Sequence, residues 1–135
     1  MPRRKLRSAA VITAVAAAGL IGTAVPASAA AASPTAVCGS GYSVIDSQGL
    51  STAATVYLLY SSSTGKNCVV TIRDSSGTAA YMEASIRKSG GSWVSDAGNY
   101  SSYAGPVYVS AAGTCIQWEG MFGQGYYQSG WEHCG

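Results

Sequence analysis

The chain has 135 residues, of which 8 are Lys or Arg, 6 are Asp or Glu and 1 is His, so its formal net charge is +2. This length suffices for one domain and not for two. Half of the basic residues lie within the first seven positions and all the acids lie after them, so the chain beyond residue 29 has a net charge of about −2. A net negative charge removes the electrostatic basis for binding nucleic acid, and no nucleic-acid partner is expected.

The N-terminal segment has the three parts of a cleavable signal peptide. Basic residues occupy positions 3–5 and 7, residues 9–25 are uncharged and rich in Ala, Val, Ile and Leu, and Ala27-Ser28-Ala29 is a small-x-small cleavage site. The uncharged stretch is at the short limit for a membrane-spanning helix. The sequence therefore predicts a signal peptide over residues 1–29, a secreted protein, and no membrane anchor after cleavage.

The four cysteines are Cys38, Cys68, Cys115 and Cys134. An even number in an exported chain predicts two disulfides. Three pairings are possible, and Cys38–Cys68 with Cys115–Cys134 is favoured because shorter loops close at lower entropic cost. The sequence contains no C-x-x-C pair and only one histidine, so zinc-ligand spacing is absent and neither a metal nor a cofactor is expected.

The first half of the exported chain contains one clear β-hairpin. Residues 30–37 are predicted to be a flexible leader, and residues 38–135 a single disulfide-stapled β domain. Residues 44–50 are short and mixed in pattern, which leaves room for one helical turn. Residues 55–60 and 68–73 are rich in β-branched and aromatic side chains and predict two strands joined by a loop at Gly65.

The second half also shows strand patterns. Residues 81–88 alternate with period two, which directs three side chains to the core and three to solvent: Met82, Ala84 and Ile86 inward, and Glu83, Ser85 and Arg87 outward. A tight turn at residues 89–92 leads to a return strand, residues 96–102 are loose and polar, and residues 106–111 and 114–119 are further strands, with Ile116 and Trp118 as a core pair. A ragged strand ends the chain. The prediction is an all-β fold, a small antiparallel sandwich or barrel of six to eight short strands with two disulfides.

Catalytic patterns are weak. His133 is the only imidazole, no G-x-S-x-G motif presents a serine, and the cysteines are assigned to disulfides. Among the acids, Asp96 and Glu119 are the best candidates for a glycosidase pair, because each lies close in sequence to a tryptophan. The sequence predicts a non-enzymatic protein with no catalytic residue.

Aromatic residues are the most informative feature: nine Tyr, three Trp and one Phe. Exposed Tyr and Trp stack on sugars or anchor protein contacts, because they offer a large area at low entropic cost. The candidate binding surface consists of Trp93, Tyr100, Tyr103, Trp118, Tyr126, Tyr127 and Trp131.

Five segments together resemble the spore-associated protein A family of actinomycetes: Cys38-Gly39-Ser40-Gly41-Tyr42, Gly65-Lys66-Asn67-Cys68-Val69-Val70-Thr71, Tyr103-Ala104-Gly105-Pro106-Val107, Gly113-Thr114-Cys115-Ile116-Gln117-Trp118 and His133-Cys134-Gly135. The resemblance spans nearly the whole exported chain and includes no catalytic signature. It implies a small exported protein found with spores or the surfaces of aerial hyphae. The expected location is therefore the exterior, at the spore or cell-wall surface, and the expected partners are surface components or further copies of the protein. A carbohydrate- or peptidoglycan-binding module and a secreted protease inhibitor stay open as alternatives.

Overall fold

The computed structural model describes residues 31–135 as a sandwich of two four-stranded antiparallel sheets. A short helix and eight strands follow one another in the order α1 (Pro34–Cys38), β1 (Ser43–Leu50), β2 (Ala54–Ser61), β3 (Lys66–Arg73), β4 (Ala80–Lys88), β5 (Val94–Tyr100), β6 (Tyr103–Ser110), β7 (Ile116–Phe122) and β8 (Gly125–Gln128). The strand orders are β1-β2-β3-β6 and β5-β4-β7-β8. The predicted all-β class, sandwich and strand number are confirmed, whereas the predicted signal peptide lies outside the described residues.

The core lies between the two sheets, where alternate residues of each strand point inward. Met82, Ala84 and Ile86 are fully buried there, as their alternation predicts. The largest buried side chain is Trp118, whose ring lies 5.1 Å from that of Tyr127, measured between centroids. The expected core pairing of Ile116 and Trp118 is thus confirmed.

The two sheets are in close contact at Gly120 in β7. A Cβ atom at this position would lie 2.5 Å from the Cβ atom of Val56 in the opposite sheet and 2.7 Å from Oγ1 of Thr71. Next to this contact, the buried hydroxyl of Thr71 donates a 2.7 Å hydrogen bond to the carbonyl oxygen of Glu83, and so joins β3 to β4. The absence of a side chain at Gly120 therefore lets the sheets come together at this point.

The outer face of the β1-β2-β3-β6 sheet is covered by the N-terminal segment. The Cys38–Cys68 disulfide fixes α1 over β3, and a second buried cluster forms beneath it. The hydroxyl of Tyr108 donates a 2.6 Å hydrogen bond to the carbonyl oxygen of Cys38. The helix begins inside residues 30–37, which were expected to be a flexible leader, because the fixed φ of Pro34 favours the first helical turn and the disulfide holds Cys38, its last residue.

Two segments that lacked a strand pattern in the sequence are strands. Residues 44–50, where a helical turn had room, belong to β1, and residues 96–100 of the supposedly loose stretch belong to β5. Both strands lie at sheet edges. β1 is largely exposed, and the less exposed positions of β5 hold Asp96, Gly98 and Tyr100, so neither strand shows the alternation of apolar and polar residues that marks a half-buried strand. Within β4, Ser85 was expected in solvent but is fully buried, because its hydroxyl is hydrogen-bonded to the side chains of Glu83 and Ser95, which cover it.

The C-terminal segment is fixed beside β7. The second disulfide joins Cys115 to Cys134, so the favoured pairing of the four cysteines is confirmed. Ile116 and Glu132 exchange two backbone hydrogen bonds of 2.9 Å. Among the described residues, no helix has the length and apolar character needed to cross a membrane.

Candidate functional site

Two tryptophans flank one arginine on the outer face of the β5-β4-β7-β8 sheet. The Cζ atom of Arg87 lies 4.6 Å from the ring centroid of Trp93 and 5.0 Å from that of Trp131. Both distances are within the range of favourable cation–π contacts. Trp93 follows the turn after β4 and Trp131 follows β8, so the fold brings together residues that are 38 positions apart in sequence.

The guanidinium group of Arg87 is held in place by its neighbour across the sheet. Gln117 lies opposite Arg87 in β7, and its Oε1 accepts hydrogen bonds of 2.9 Å from Nε and 2.6 Å from Nη2 of the arginine. The amide nitrogen of Gln117 donates in turn to the carbonyl oxygen of Ser129, just before Trp131. Because hydrogen bonds fix both the guanidinium group of Arg87 and the side-chain amide of Gln117, the arginine of the Trp93–Arg87–Trp131 stack is positioned by the fold itself.

A carboxylate and tyrosine group continues the same face away from the stack. Glu83 accepts hydrogen bonds from the hydroxyl groups of Ser85 (2.8 Å) and Tyr81 (3.3 Å), while Glu119 accepts one from Tyr126 (3.0 Å). Ser85 lies directly opposite Glu119 in the β4–β7 pair, so the two glutamates are diagonal neighbours on adjacent strands. The sheet thus sets two carboxylates side by side between two tyrosines.

The electrostatics of this group follow from its crowding. Burial, and secondarily the charge of Glu83, raise the pKa of the Glu119 carboxyl group, although the hydrogen bond from Tyr126 opposes this shift. The pKa of the Tyr126 hydroxyl is raised by burial and by its hydrogen bond to Glu119, and that of Tyr81 is raised chiefly by the charge of Glu83. Both tyrosines therefore stay neutral hydrogen-bonding groups at physiological pH.

We call this surface the outer aromatic face; its residues are Tyr81, Glu83, Arg87, Trp93, Glu119, Tyr126 and Trp131. From Tyr81 to Arg87 it extends over about 20 Å of strand, at about 3.3 Å per residue. It presents aromatic rings at both ends and hydrogen-bond acceptors between them. Exposed rings with interspersed polar groups suit ligands that have both apolar faces and hydroxyl or amide groups.

The predicted candidate binding residues separate into three places. Trp93, Tyr126 and Trp131 lie on the outer aromatic face, and Tyr126 and Trp131 are 53% and 47% exposed. The prediction that Trp118 contributes to a binding surface is wrong, because the side chain is fully buried and its Nε1 donates a 2.6 Å hydrogen bond to Glu132. Tyr127 likewise packs inward against Trp118.

Tyr100 and Tyr103 lie at the corner between β5 and β6, apart from the tryptophan stack. The hydroxyl of Tyr100 donates to Asp96, and the ring packs against the core. Tyr103 is 39% exposed and, with Asp96, lines a shallow cleft at this corner. Tyr100 is therefore partly buried and lines the same cleft, and Tyr103 is isolated from the other exposed aromatic residues of the candidate surface.

The best candidate pair of catalytic acids is not a pair in the fold. Asp96 lies opposite Ala84, whose side chain points to the core, and it accepts hydrogen bonds from the Tyr100 hydroxyl and, at 2.8 Å, from the backbone N–H of Gly105. Glu119 points to the other side of the same sheet, where it meets Tyr126. The carboxylate that does approach Glu119 is Glu83.

Sequence reasoning missed the residues that complete the outer aromatic face: Arg87, Glu83 and Tyr81. The alternation of residues 81–88 already put Glu83 and Arg87 on the solvent side of β4. The alternation does not show how β4 pairs with β7 and β5. That pairing places Arg87 beside Gln117 and Trp93, and Glu83 diagonally across from Glu119.

Comparisons with known proteins identify one informative relative. No family model matches the chain, and no solved structure matches it significantly. The chain is 53% identical over 121 residues to spore-associated protein A of Streptomyces coelicolor, and the match covers 84% of this chain and 79% of the relative. Identity of this extent over most of both chains establishes common descent, and the chain belongs to the spore-associated protein A family.

Proposed function

We propose that this chain is a secreted, non-enzymatic protein that associates with the surface of the spore or cell envelope and makes its contacts through the outer aromatic face. The observation that carries the proposal is the Trp93–Arg87–Trp131 stack, in which Trp131 is 47% exposed and Arg87 and Trp93 are partly exposed. The name of the Streptomyces relative supports the location. The two disulfides suit a protein that works in an oxidising exterior.

The asymmetry of the sandwich supports this choice of face. The outer side of the β1-β2-β3-β6 sheet is occupied by α1 and the cluster around Cys38–Cys68. The outer side of the other sheet carries polar and aromatic side chains instead. A surface partner that docks on a sheet face therefore meets the outer aromatic face.

Polysaccharide or peptidoglycan is the second candidate for what the face contacts. Indole rings stack on the apolar faces of sugar rings, and the carboxylates of Glu83 and Glu119 accept hydrogen bonds from sugar hydroxyl groups. The extent of the face, about 20 Å, suits an extended chain of several sugar units. A carbohydrate ligand is compatible with the main proposal, because the protein would then attach to the spore or cell envelope by binding its glycans.

The test compares wild-type protein with a Trp93→Ala, Trp131→Ala double variant. Each protein is added to washed spores and, separately, to purified peptidoglycan, and the bound fraction is measured after sedimentation. Removal of both rings is expected to lower binding to spores at least tenfold, because truncation of an aromatic anchor at the centre of an interface typically costs roughly 2 kcal/mol or more. Val44→Ala, at an exposed apolar residue on β1, is the matched control and is expected to bind as wild type does.

The outcomes separate the two candidates. Loss of binding to both materials in the double variant supports a glycan ligand, whereas loss on spores alone supports a different surface component. Equal binding of the double variant and wild type to spores would refute the assignment of this face. Absence of the wild-type protein from washed spores, with full recovery in the medium, would refute surface association itself.

A further inference from the structure

Three potential metal ligands converge where the C-terminal segment meets β1. The Nε2 atom of His133 lies 3.0 Å from Oδ2 of Asp46 and 3.7 Å from Oε1 of Glu132. One donor atom from each of the three side chains lies within 4.8 Å of the other two. The fold assembles this cluster from positions 87 residues apart, on the side of the sandwich opposite to the β5–β6 corner.

Two of the three side chains are oriented by hydrogen bonds from outside the cluster, and the third, His133, belongs to a restrained stretch of backbone. Asp46 directly follows the bulge in β1, and its Oδ1 accepts a 2.8 Å hydrogen bond from the N–H of Ser47, which leaves Oδ2 directed at the histidine. Glu132 is held by the 2.6 Å bond from the Trp118 indole and by its backbone pairing with Ile116. His133 lies between this pairing and the disulfide at Cys134. Hydrogen bonds and backbone restraints of this kind are what orient the ligands of protein metal sites.

We propose that Asp46, Glu132 and His133 form a binding site for a divalent transition-metal cation of the zinc class. At bond lengths of about 2.0–2.2 Å, two ligands of a tetrahedral zinc ion are about 3.4 Å apart. The two separations from Nε2 of His133, 3.0 and 3.7 Å, bracket this value, and the donor atoms of Asp46 and Glu132 lie within 4.8 Å of each other, so adjustment of the side chains would allow the cluster to enclose an ion. One imidazole and two carboxylates suit zinc, and two negative charges balance a divalent cation.

The site is accessible and leaves coordination positions for water. The side chains of His133, Asp46 and Glu132 are 31%, 39% and 35% exposed. His133 also lines a cleft with Ile45, Tyr60 and Gly135, so an ion reaches the cluster without any opening of the core. Three protein ligands with water in the fourth position form a common zinc arrangement.

A bound ion would link two parts of the fold that share few other contacts. Asp46 belongs to the edge strand β1 of one sheet, while Glu132 and His133 belong to the segment that follows β8 of the other. Coordination would therefore join the two sheets at their open side. This site is independent of the outer aromatic face, so failure of either proposal leaves the other intact.

The test uses the secreted, disulfide-bonded protein after removal of metal with a chelator. Because His133 is the only histidine in the chain, its imidazole resonances in a ¹H–¹³C NMR spectrum are assigned without ambiguity. Titration with ZnCl₂ is expected to shift these resonances and to saturate at one equivalent, and calorimetry gives the affinity. Zinc at a hundredfold excess over Kd is expected to raise Tm by on the order of 10 °C.

Two variants and one control decide the assignment. Asp46→Asn and His133→Asn are each expected to lower zinc affinity at least tenfold, because even the loss of a group that only orients a ligand typically costs about 10–100-fold. Asparagine is chosen at position 133 because φ of His133 is 52°, a conformation that asparagine tolerates. Asp74→Asn changes an exposed acid outside the cluster and is expected to keep wild-type affinity.

Thermal melts without zinc verify that the variants fold. Imidazole resonances that do not respond to zinc in the wild-type protein would overturn the proposal. Folded Asp46→Asn and His133→Asn proteins that bind zinc as tightly as wild type would also overturn it, because the ion would then bind elsewhere.

Discussion

Substitution of Gly120 by alanine tests the close approach of the two sheets. The new methyl carbon would lie 2.5 Å from Cβ and 2.7 Å from Cγ2 of Val56, and 2.7 Å from Oγ1 of Thr71. All three distances are far below van der Waals contact. Val56 and Thr71 are β-branched residues inside paired strands, so rotation about χ1 gives little relief and the sheets must separate locally.

The expected loss of stability follows from two opposing terms. Overpacking of a well-filled core costs about 1–3 kcal/mol, and the stiffness of both neighbours places this site at the upper end of that range. Alanine also restricts the conformations of the unfolded chain, and this lower entropy stabilises the folded state by about 0.4–1 kcal/mol. The net decrease in the free energy of unfolding is about 2 kcal/mol, which corresponds to a fall in Tm of about 8 °C for a domain of this size.

Urea denaturation followed by tryptophan fluorescence, with the disulfides intact, measures this difference. Gly49→Ala in β1 is the matched control, because a Cβ atom at Gly49 meets nothing within 4 Å. The control is expected to be as stable as wild type or slightly more stable. If both alanine variants unfold at the same urea concentration, the reasoning about the sheet contact at Gly120 is refuted.

Three further changes probe the C-terminal segment and the carboxylate pair. Replacement of Cys115 and Cys134 by serine opens a 19-residue span and is expected to lower the free energy of unfolding by about 3 kcal/mol in the same urea assay; an unchanged midpoint would contradict this. Trp118→Phe removes the indole hydrogen bond to a carboxylate and is expected to cost about 2–3 kcal/mol, whereas a loss below 0.5 kcal/mol, on the order of the effect of a surface substitution, would argue against that bond. Folding raises the pKa of Glu119, so its contribution to stability is fully present below the ordinary value of 4.5 and is lost as pH rises through the folded value. The free energy of unfolding of wild type relative to that of Glu119→Gln is therefore expected to fall as pH rises from acid to neutral, and a difference that does not change with pH would contradict this.

The strands with a buried inner face could be predicted from the sequence. Met82, Ala84 and Ile86 alternate with polar residues because one side of β4 meets the core. The β2–β3 hairpin was equally clear, since β-branched and aromatic side chains flank a Gly-containing loop. In these places the local pattern and the tertiary environment agree, which is the condition under which sequence patterns are informative.

The edge strands and the sites depend on pairings that local sequence does not encode. β1 is exposed on both sides until Leu50, so its residues show no period, and its strand conformation comes from hydrogen bonding to β2. Trp118 had two interpretations, as a core residue and as a binding residue, because a Trp in a strand gives no sign of which face it occupies until the register is known. Asp46 and His133 meet only because the C-terminal segment returns to β1.

The position of α1 has a practical consequence for labelling the protein. The helix lies over the β1-β2-β3-β6 sheet, so the chain enters the domain on the side away from the Trp93–Arg87–Trp131 stack. The C-terminus at Gly135, in contrast, is four residues from Trp131 and lines the cleft beside His133. A fluorescent or affinity tag just upstream of α1 would therefore leave the outer aromatic face accessible. The same tag after Gly135 would lie close to that face and to the proposed metal site, and would hinder binding at both.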